Sequence, residues 1–179
     1  MGVLKTAPRA LPFVAIMFNR KTDLDNLLKT LSCRLGGVMS AGPVYRVTDF
    51  TGYYIKEFGN RLQKQFFIFQ NPVNLERFHE IKVWTNDLEF GSSPKPSGRI
   101  VNIDPGYLEP SKLVLFSTKN FSHRTYCGAG IFAEVTMLYK HGDFVRLPWT
   151  YDDYFWEENR RFLLHARTQI VSLSRKGAL

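Results

Sequence analysis

Phe13-Val-Ala-Ile-Met-Phe18, followed at once by the polar Asn19-Arg-Lys-Thr-Asp23, is the stretch on which the fold turns. An apolar run of this length suits a strand and falls far short of the ~20 residues a membrane span needs. Basic residues ahead of Leu11–Phe18 loosely imitate a signal peptide. Asn19-Arg20-Lys21 stands where a small-residue cleavage site belongs, so the run reads as a first strand. Thr22 or Asp23 then caps a helix whose Leu24, Leu27, Leu28, Leu31 and Leu35 fall on one face. Gly36-Gly37 ends it.

Working outward, Val44–Phe50 after Pro43 reads as a second strand and Gln65–Phe69 as a buried third. Tyr53-Tyr54 and Gly59-Asn60 between them suggest a structured loop or a short turn of helix. Asn74 can cap a second helix bearing Leu75, Phe78, Ile81 and Leu88. The loop Gly91–Gly98 leads to a fourth strand, Arg99–Ile103, closed by the turn signal Asp104-Pro105-Gly106. This β-α-β-β-α-β succession is the ferredoxin-like order. Pro110–Lys119 is open to two readings, strand at Leu113–Phe116 or a short helix, and Pro110 in a first turn favours the helix. Arg124–Cys127, Ile131–Lys140 and Phe144–Leu147 look like an antiparallel meander turning at Gly128-Ala-Gly130 and His141-Gly-Asp143. A last helix, Asp152 to Arg175, presents Phe155, Phe162, Ala166, Ile170 and Leu173 to the core. The expected fold class is therefore α+β in a single domain, residues 1–179. A ferredoxin-like βαββαβ half (13–103) is extended by a polar segment and β-meander (104–150), and a C-terminal helix (151–175) closes it.

Composition agrees with one globular unit. The chain has 179 residues, 44% hydrophobic, 22% charged and 15% aromatic, which excludes collagen, coiled coil and disorder. Lys and Arg outnumber Asp and Glu by 24 to 16, a net charge of +8 that favours phosphate-bearing or acidic partners. The excess is scattered and forms no polybasic arm. Acids at 151–159 and bases at 160–179 suit the dipole of one helix. Cys33 and Cys127 show no metal spacing, so reduced thiols in a cytoplasmic protein are expected.

Polar residues that can do chemistry gather between Asp104 and Glu134. Asp104 ends a strand at a sharp turn, and Lys112 and Lys119 share a face if their segment is helical. Asn120, His123 and Arg124 follow, with Glu134 inside a long strand. Cations beside two carboxylates are the ingredients of phosphate binding with acid–base or metal chemistry. The expected catalytic groups are His123, Asp104 and Glu134, with Asp104 and Glu134 also the candidate ligands of a divalent metal, Mg²⁺ or Mn²⁺. Lys112, Lys119, Asn120 and Arg124 are the expected phosphate binders. Lys82 and Asn86 join them, because the poor helix formers Thr85 and Asn86 beside Lys82, late in the second helix, hint at a polar task there.

No P-loop, G-x-G-x-x-G, H-E-x-x-H, paired C-x-x-C or G-x-S-x-G occurs. Asn19-Arg-Lys-Thr-Asp23 only approximates an N-K-x-D tetrad. Phe66, Phe67 and Phe69 read as core and not as an RNA-stacking platform, and Trp149 as a packed anchor.

Several strings resemble one bacterial family, the domain of unknown function 4416. They are Asp49-Phe-Thr-Gly-Tyr-Tyr54, Ile81-Lys-Val-Trp-Thr-Asn-Asp-Leu-Glu89, Val101-Asn-Ile-Asp-Pro-Gly-Tyr-Leu108, Lys112-Leu-Val-Leu115 and Thr118-Lys-Asn-Phe-Ser-His-Arg124. Gly130-Ile-Phe-Ala-Glu-Val-Thr136 and Leu147-Pro-Trp-Thr-Tyr-Asp-Asp-Tyr154 continue the likeness over nearly the whole chain. The resemblance implies a bacterial cytoplasmic protein. Members often carry a GTP-binding label, which the missing P-loop here does not support. Ala129 stands where the family is expected to have a lysine between its two glycines.

The functional expectation is an enzyme or sensor that binds a nucleotide or RNA phosphate, with metal-assisted phosphoryl transfer or hydrolysis as the reaction class. A non-catalytic RNA- or ribonucleoprotein-binding module and a structural or assembly protein are the alternatives, and no membrane partner is expected.

Overall fold

A computed structural model describes residues 2–3, 6–91 and 99–176, so the expected loop at 92–98 lies outside the described residues. The protein is α+β, and every pair of neighbouring strands is antiparallel. Strand β1 (Arg9–Phe18) leads into helix α1 (Leu24–Leu35), which begins where the Asp23 carboxylate accepts from the Asn26 N–H. Then come β2 (Val38–Ala41), β3 (Tyr45–Arg46), a short helix α2 (Ile55–Phe58), β4 (Gln63–Phe69) and β5 (Val73–Asn74). Helix α3 (His79–Gly91) precedes β6 (Val101–Glu109), β7 (Lys112–Ser117), β8 (Thr125–Gly128), β9 (Ile131–Lys140) and β10 (Asp143–Arg146). Helices α4 (Asp152–Phe155) and α5 (Glu157–Arg175) end the described chain. The sheet order is β10-β9-β7-β6-β1-β4-β2, with β3 beside β4, β5 beside β1 and β8 beside β9.

Alternation along the central strands sorts the core into two layers. Leu11, Phe13 and Ala15 of β1, with Phe66 and Ile68 of β4, pack against Tyr154, Leu163, Ala166 and Ile170 of α4 and α5. Val14, Ile16 and Phe18, with Phe67 and Phe69, pack against Leu27, Leu31 and Leu35 of α1 and Phe78 and Ile81 beside and on α3. Helices thus cover both faces, and each large side chain removed from water contributes about 1.5–3 kcal/mol. Among the described residues no helix is long and apolar enough to cross a membrane.

Four local expectations are corrected. Val44–Phe50 is not one strand: only Tyr45–Arg46 pairs with β4, Val47–Asp49 turns as a 3-10 helix, and Val38–Ala41 supplies the longer strand. Lys112–Ser117 is a strand and not a helix, so Lys112 and Lys119 do not share a helical face. Pro110-Ser111 instead form the loop of the β6–β7 hairpin, whose closing pair is Glu109 and Lys112. The final helix is interrupted at Trp156, whose ψ of 139° separates α4 from α5.

The fourth correction shapes the site. Asp104-Pro105-Gly106 is no turn; β6 runs through it, with Asp104 opposite Ala15 and Pro105 opposite Val14. Pairing with β7 starts only at Gly106, so residues 101–105 have an edge that β7 has left. Ile103 turns both backbone groups to that edge. Its N–H donates to Glu89 Oε1 at 2.8 Å and its carbonyl accepts from Lys82 Nζ at 2.8 Å. Two side chains of α3 thereby stand in for a strand. Pro105, two residues on, faces the same edge, where its missing N–H leaves no ladder bond unmade.

Candidate functional site

The separation of β6 from β7 opens a cleft of about 510 Å³ on the side of the sheet that carries α4. Its floor is β6, with Asn102 and Asp104, and its far wall is the end of β7 and β9, with Ser117 and Glu134. Residues 47–57 form the near wall and bring Phe50, Tyr53 and Tyr54. That wall is held down by Phe58, which packs with Met17, Val47 and Leu62. Lys82 and Asn86 enter from α3 through the gap.

Of the residues expected to form a site, Asp104, Glu134, Lys82, Asn86, Lys119 and Arg124 all line this cleft. The remainder lie elsewhere. Lys112 sits at the hairpin end of β7 and pairs with Glu109 at 3.0 Å. Asn120 is exposed and does not line the cleft. His123 lies behind the wall, its Nε2 2.9 Å from Glu134 Oε2 and its ring stacked on Trp149 at 4.8 Å. Trp149 is indeed anchored, donating from Nε1 to the Val135 carbonyl at 2.8 Å. Gly128-Ala129-Gly130 forms the β8–β9 turn, with all three residues at positive φ.

Most charges in the cleft are paired. Arg124 meets Glu134 Oε2 through Nε at 2.6 Å and spends Nη1 on Ser117 Oγ and the Lys119 carbonyl. Glu134 is therefore buried under two donors, and together with Arg124 it fastens residues 117–124 to β9. Lys64 is buried against Asp153 at 2.7 Å, and the Tyr45 hydroxyl donates to the same carboxylate oxygen. Arg99 forks onto Glu57 at 2.9 and 3.3 Å, and its Nη1 reaches Glu89 at 2.7 Å. The pairs on Glu134, Asp153 and Glu89 are the kind that hold geometry, because removing the cation strands a carboxylate in a poorly solvated place.

Asp104 is placed differently. Its Oδ2 accepts from Asn102 Nδ2 at 2.6 Å, while Oδ1 lies 3.5 Å from Lys82 Nζ, and its side chain keeps 31% exposure. Burial, and after it the charge of Asp104, pushes the Tyr54 phenol well above its ordinary range. Burial likewise raises Tyr151, so the Tyr54 and Tyr151 phenols keep their protons past the pH at which a free tyrosine ionises. Among the described residues no group of three or more His, Cys, Asp or Glu converges to hold a metal, although Asp104 and Glu134 share the cleft.

Sequence reasoning missed Glu89, Arg99, Asn102, Lys64 and Asp153. A signal for Glu89 was present: Lys82, Thr85, Asn86 and Glu89 recur at three- and four-residue spacing, a polar stripe on one helical face. Three of the four are buried, and Asn86 is half-buried in the cleft. Nothing local marks Lys64 and Asp153, which come together across 89 residues of chain.

Residues 8–169 match the family described as Domain of unknown function (DUF4416), and the chain belongs to it. No curated protein and no solved structure matches the chain significantly.

Proposed function

We propose that the cleft binds a small phosphate-bearing ligand with an aromatic ring, a nucleotide or the end of an RNA, as a sensor or an enzyme. The observation that carries this is the convergence of Asp104, Asn86 and Lys119 with four tyrosines in one cleft of about 510 Å³. That volume is ordinary for a small-molecule site. Tyr53, Tyr54 and Tyr151 offer ring faces and hydroxyls, and Lys119 stands at the mouth. In a catalytic version Asp104 is the general base or one metal ligand, and His123 acts through Glu134 to hold Arg124 in place. The antiparallel order β6-β1-β4-β2, with α1 and α3 on one face, supports reading this half as ferredoxin-like. Free Cys33 and Cys127 suit a cytoplasmic setting.

A thermal-shift panel tests the proposal, using nucleoside mono- and triphosphates and a short RNA, each with and without Mg²⁺ or Mn²⁺. A ligand at 100 times its Kd adds about 2.7 kcal/mol, a shift of several degrees. Stabilisation that disappears in Lys119→Ala is the expected result. A shift by RNA alone that salt erases would favour the dispersed basic surface instead, because counterion release dominates such binding. A panel that leaves the melt unmoved removes the proposal.

A further inference from the structure

We infer that the ligand is amphoteric: one N–H-donating end sits on Asp104, and a single anionic group reaches Lys119. The ligand class is a nucleoside monophosphate whose base carries N–H donors, and polyphosphates are disfavoured. This rests on the cleft being a ligand site at all.

The ligand class follows from which polar atoms of the cleft are still open. Every carboxylate lining the cleft except Asp104 has a cation or hydroxyl within 3.0 Å. Glu57 takes Arg99, Glu134 takes Arg124, and Asp153 takes Lys64 and the Tyr45 hydroxyl. Asp104 has a good partner for Oδ2 only. Lys82, the cation nearest Oδ1 at 3.5 Å, gives its well-placed hydrogen bond to the Ile103 carbonyl. A 3.5 Å contact is at the outer limit of hydrogen bonding, so Oδ1 retains acceptor capacity toward the cleft. An ionised carboxylate accepts and never donates, so its partner must bring N–H or O–H.

The cations give the complementary result. Lys64, Lys82, Arg99 and Arg124 each have a carboxylate other than Asp104 within 4 Å, which for Lys82 is Glu89 at 3.7 Å. Among the described residues that line the cleft, Lys119 is the one cation with none, and its ammonium lies 5.8 Å from the centre of the exposed Tyr53 ring. One free ammonium suits one phosphate. A triphosphate brings three or four negative charges beside Glu57 and Asp104, with no further cation released to meet them. Between the two open positions Tyr53 and Tyr54 set an aromatic wall against which a base can lie.

Isothermal titration of the purified full chain tests this with AMP, GMP, adenosine, ATP and purine riboside 5′-monophosphate. The last of these is AMP without its amino donor. AMP or GMP is expected to bind about tenfold or more tighter than adenosine and than purine riboside 5′-monophosphate, and ATP no tighter than AMP. Asp104→Asn should erase the preference for the amino group, and Lys119→Met should erase the gain from the phosphate. A melting curve on each variant checks that it folds, and the wild-type comparisons stand without them. Binding of ATP tenfold tighter than AMP, or an amino preference that survives in folded Asp104→Asn, overturns the inference and leaves the ligand site standing. No binding by any of the five removes both.

Discussion

Gly106 lies so close to the carbonyl of Val114 that a Cβ on it would come within 2.1 Å of that oxygen. This contact is where β6 and β7 first meet; ahead of it they part and the cleft opens. The glycine permits an approach of backbone to backbone that any side chain would block. Gly106→Ala should therefore push β7 away and cost about 1–3 kcal/mol, as overpacking does. Urea denaturation measures it. A neutral substitution would mean that β7 has slack, and that the opening of the cleft is not set here.

Lys64 and Asp153 should behave as a unit. Lys64→Met alone leaves the Asp153 carboxylate with the Tyr45 hydroxyl in a buried place, a loss of about 3–5 kcal/mol. Adding Asp153→Asn removes the stranded charge and should recover part of that loss. A double-mutant cycle by chemical denaturation reads the coupling directly. Additive costs would mean that the two side chains are solvated separately.

Glu134 fastens the segment from Ser117 to Arg124. Glu134→Gln exchanges a shared, charge-assisted acceptor for a neutral amide and should cost about 1–3 kcal/mol. The loss should be felt locally first, as faster amide hydrogen exchange in residues 118–124 with β9 still protected. If exchange there is unchanged, the segment is held by something other than this carboxylate.

Alkaline pH should unfold the protein in a defined window. Burial, then the Glu109 charge and Cys127, pushes Tyr107 from 10 up to about 12. Tyr45, Tyr54, Tyr151 and Tyr154 are raised as well, burial being the largest cause in each. The folded chain thus holds phenolic protons that the unfolded chain gives up near pH 10. Stability is fully present below that pH and is lost as pH rises from 10 toward 12. Absorbance at 295 nm, followed alongside circular dichroism, should show a phenolate step that coincides with loss of structure. Reversible titration of all eight tyrosines near pH 10 in a folded protein would contradict it.

Some of this was legible from the residues alone. The leucines from Leu24 to Leu35 and the cap at Asp23 define α1 because helix periodicity and capping are local, written within four residues. The apolar runs at Phe13–Phe18 and Gln65–Phe69 and the glycine turns of the meander were readable for the same reason. Part of the cleft lining was readable too, since six of the nine residues singled out for their chemistry line it, while the Lys64, Arg99, Asn102 and Asp153 parts of that lining were not. Tertiary structure alone decided the rest. Asp104-Pro-Gly106 carries every local mark of a turn, yet it is strand, because β1 pairs it on one side and Lys82 and Glu89 satisfy Ile103 on the other. Pro110 looks like a helix start and is a hairpin loop, because the pairing of Glu109 with Lys112 closes on it. Which cations are spent and which stay open was equally invisible. An ion pair such as Lys64 with Asp153 depends on the distance between atoms, and sequence records only the order of residues along the chain.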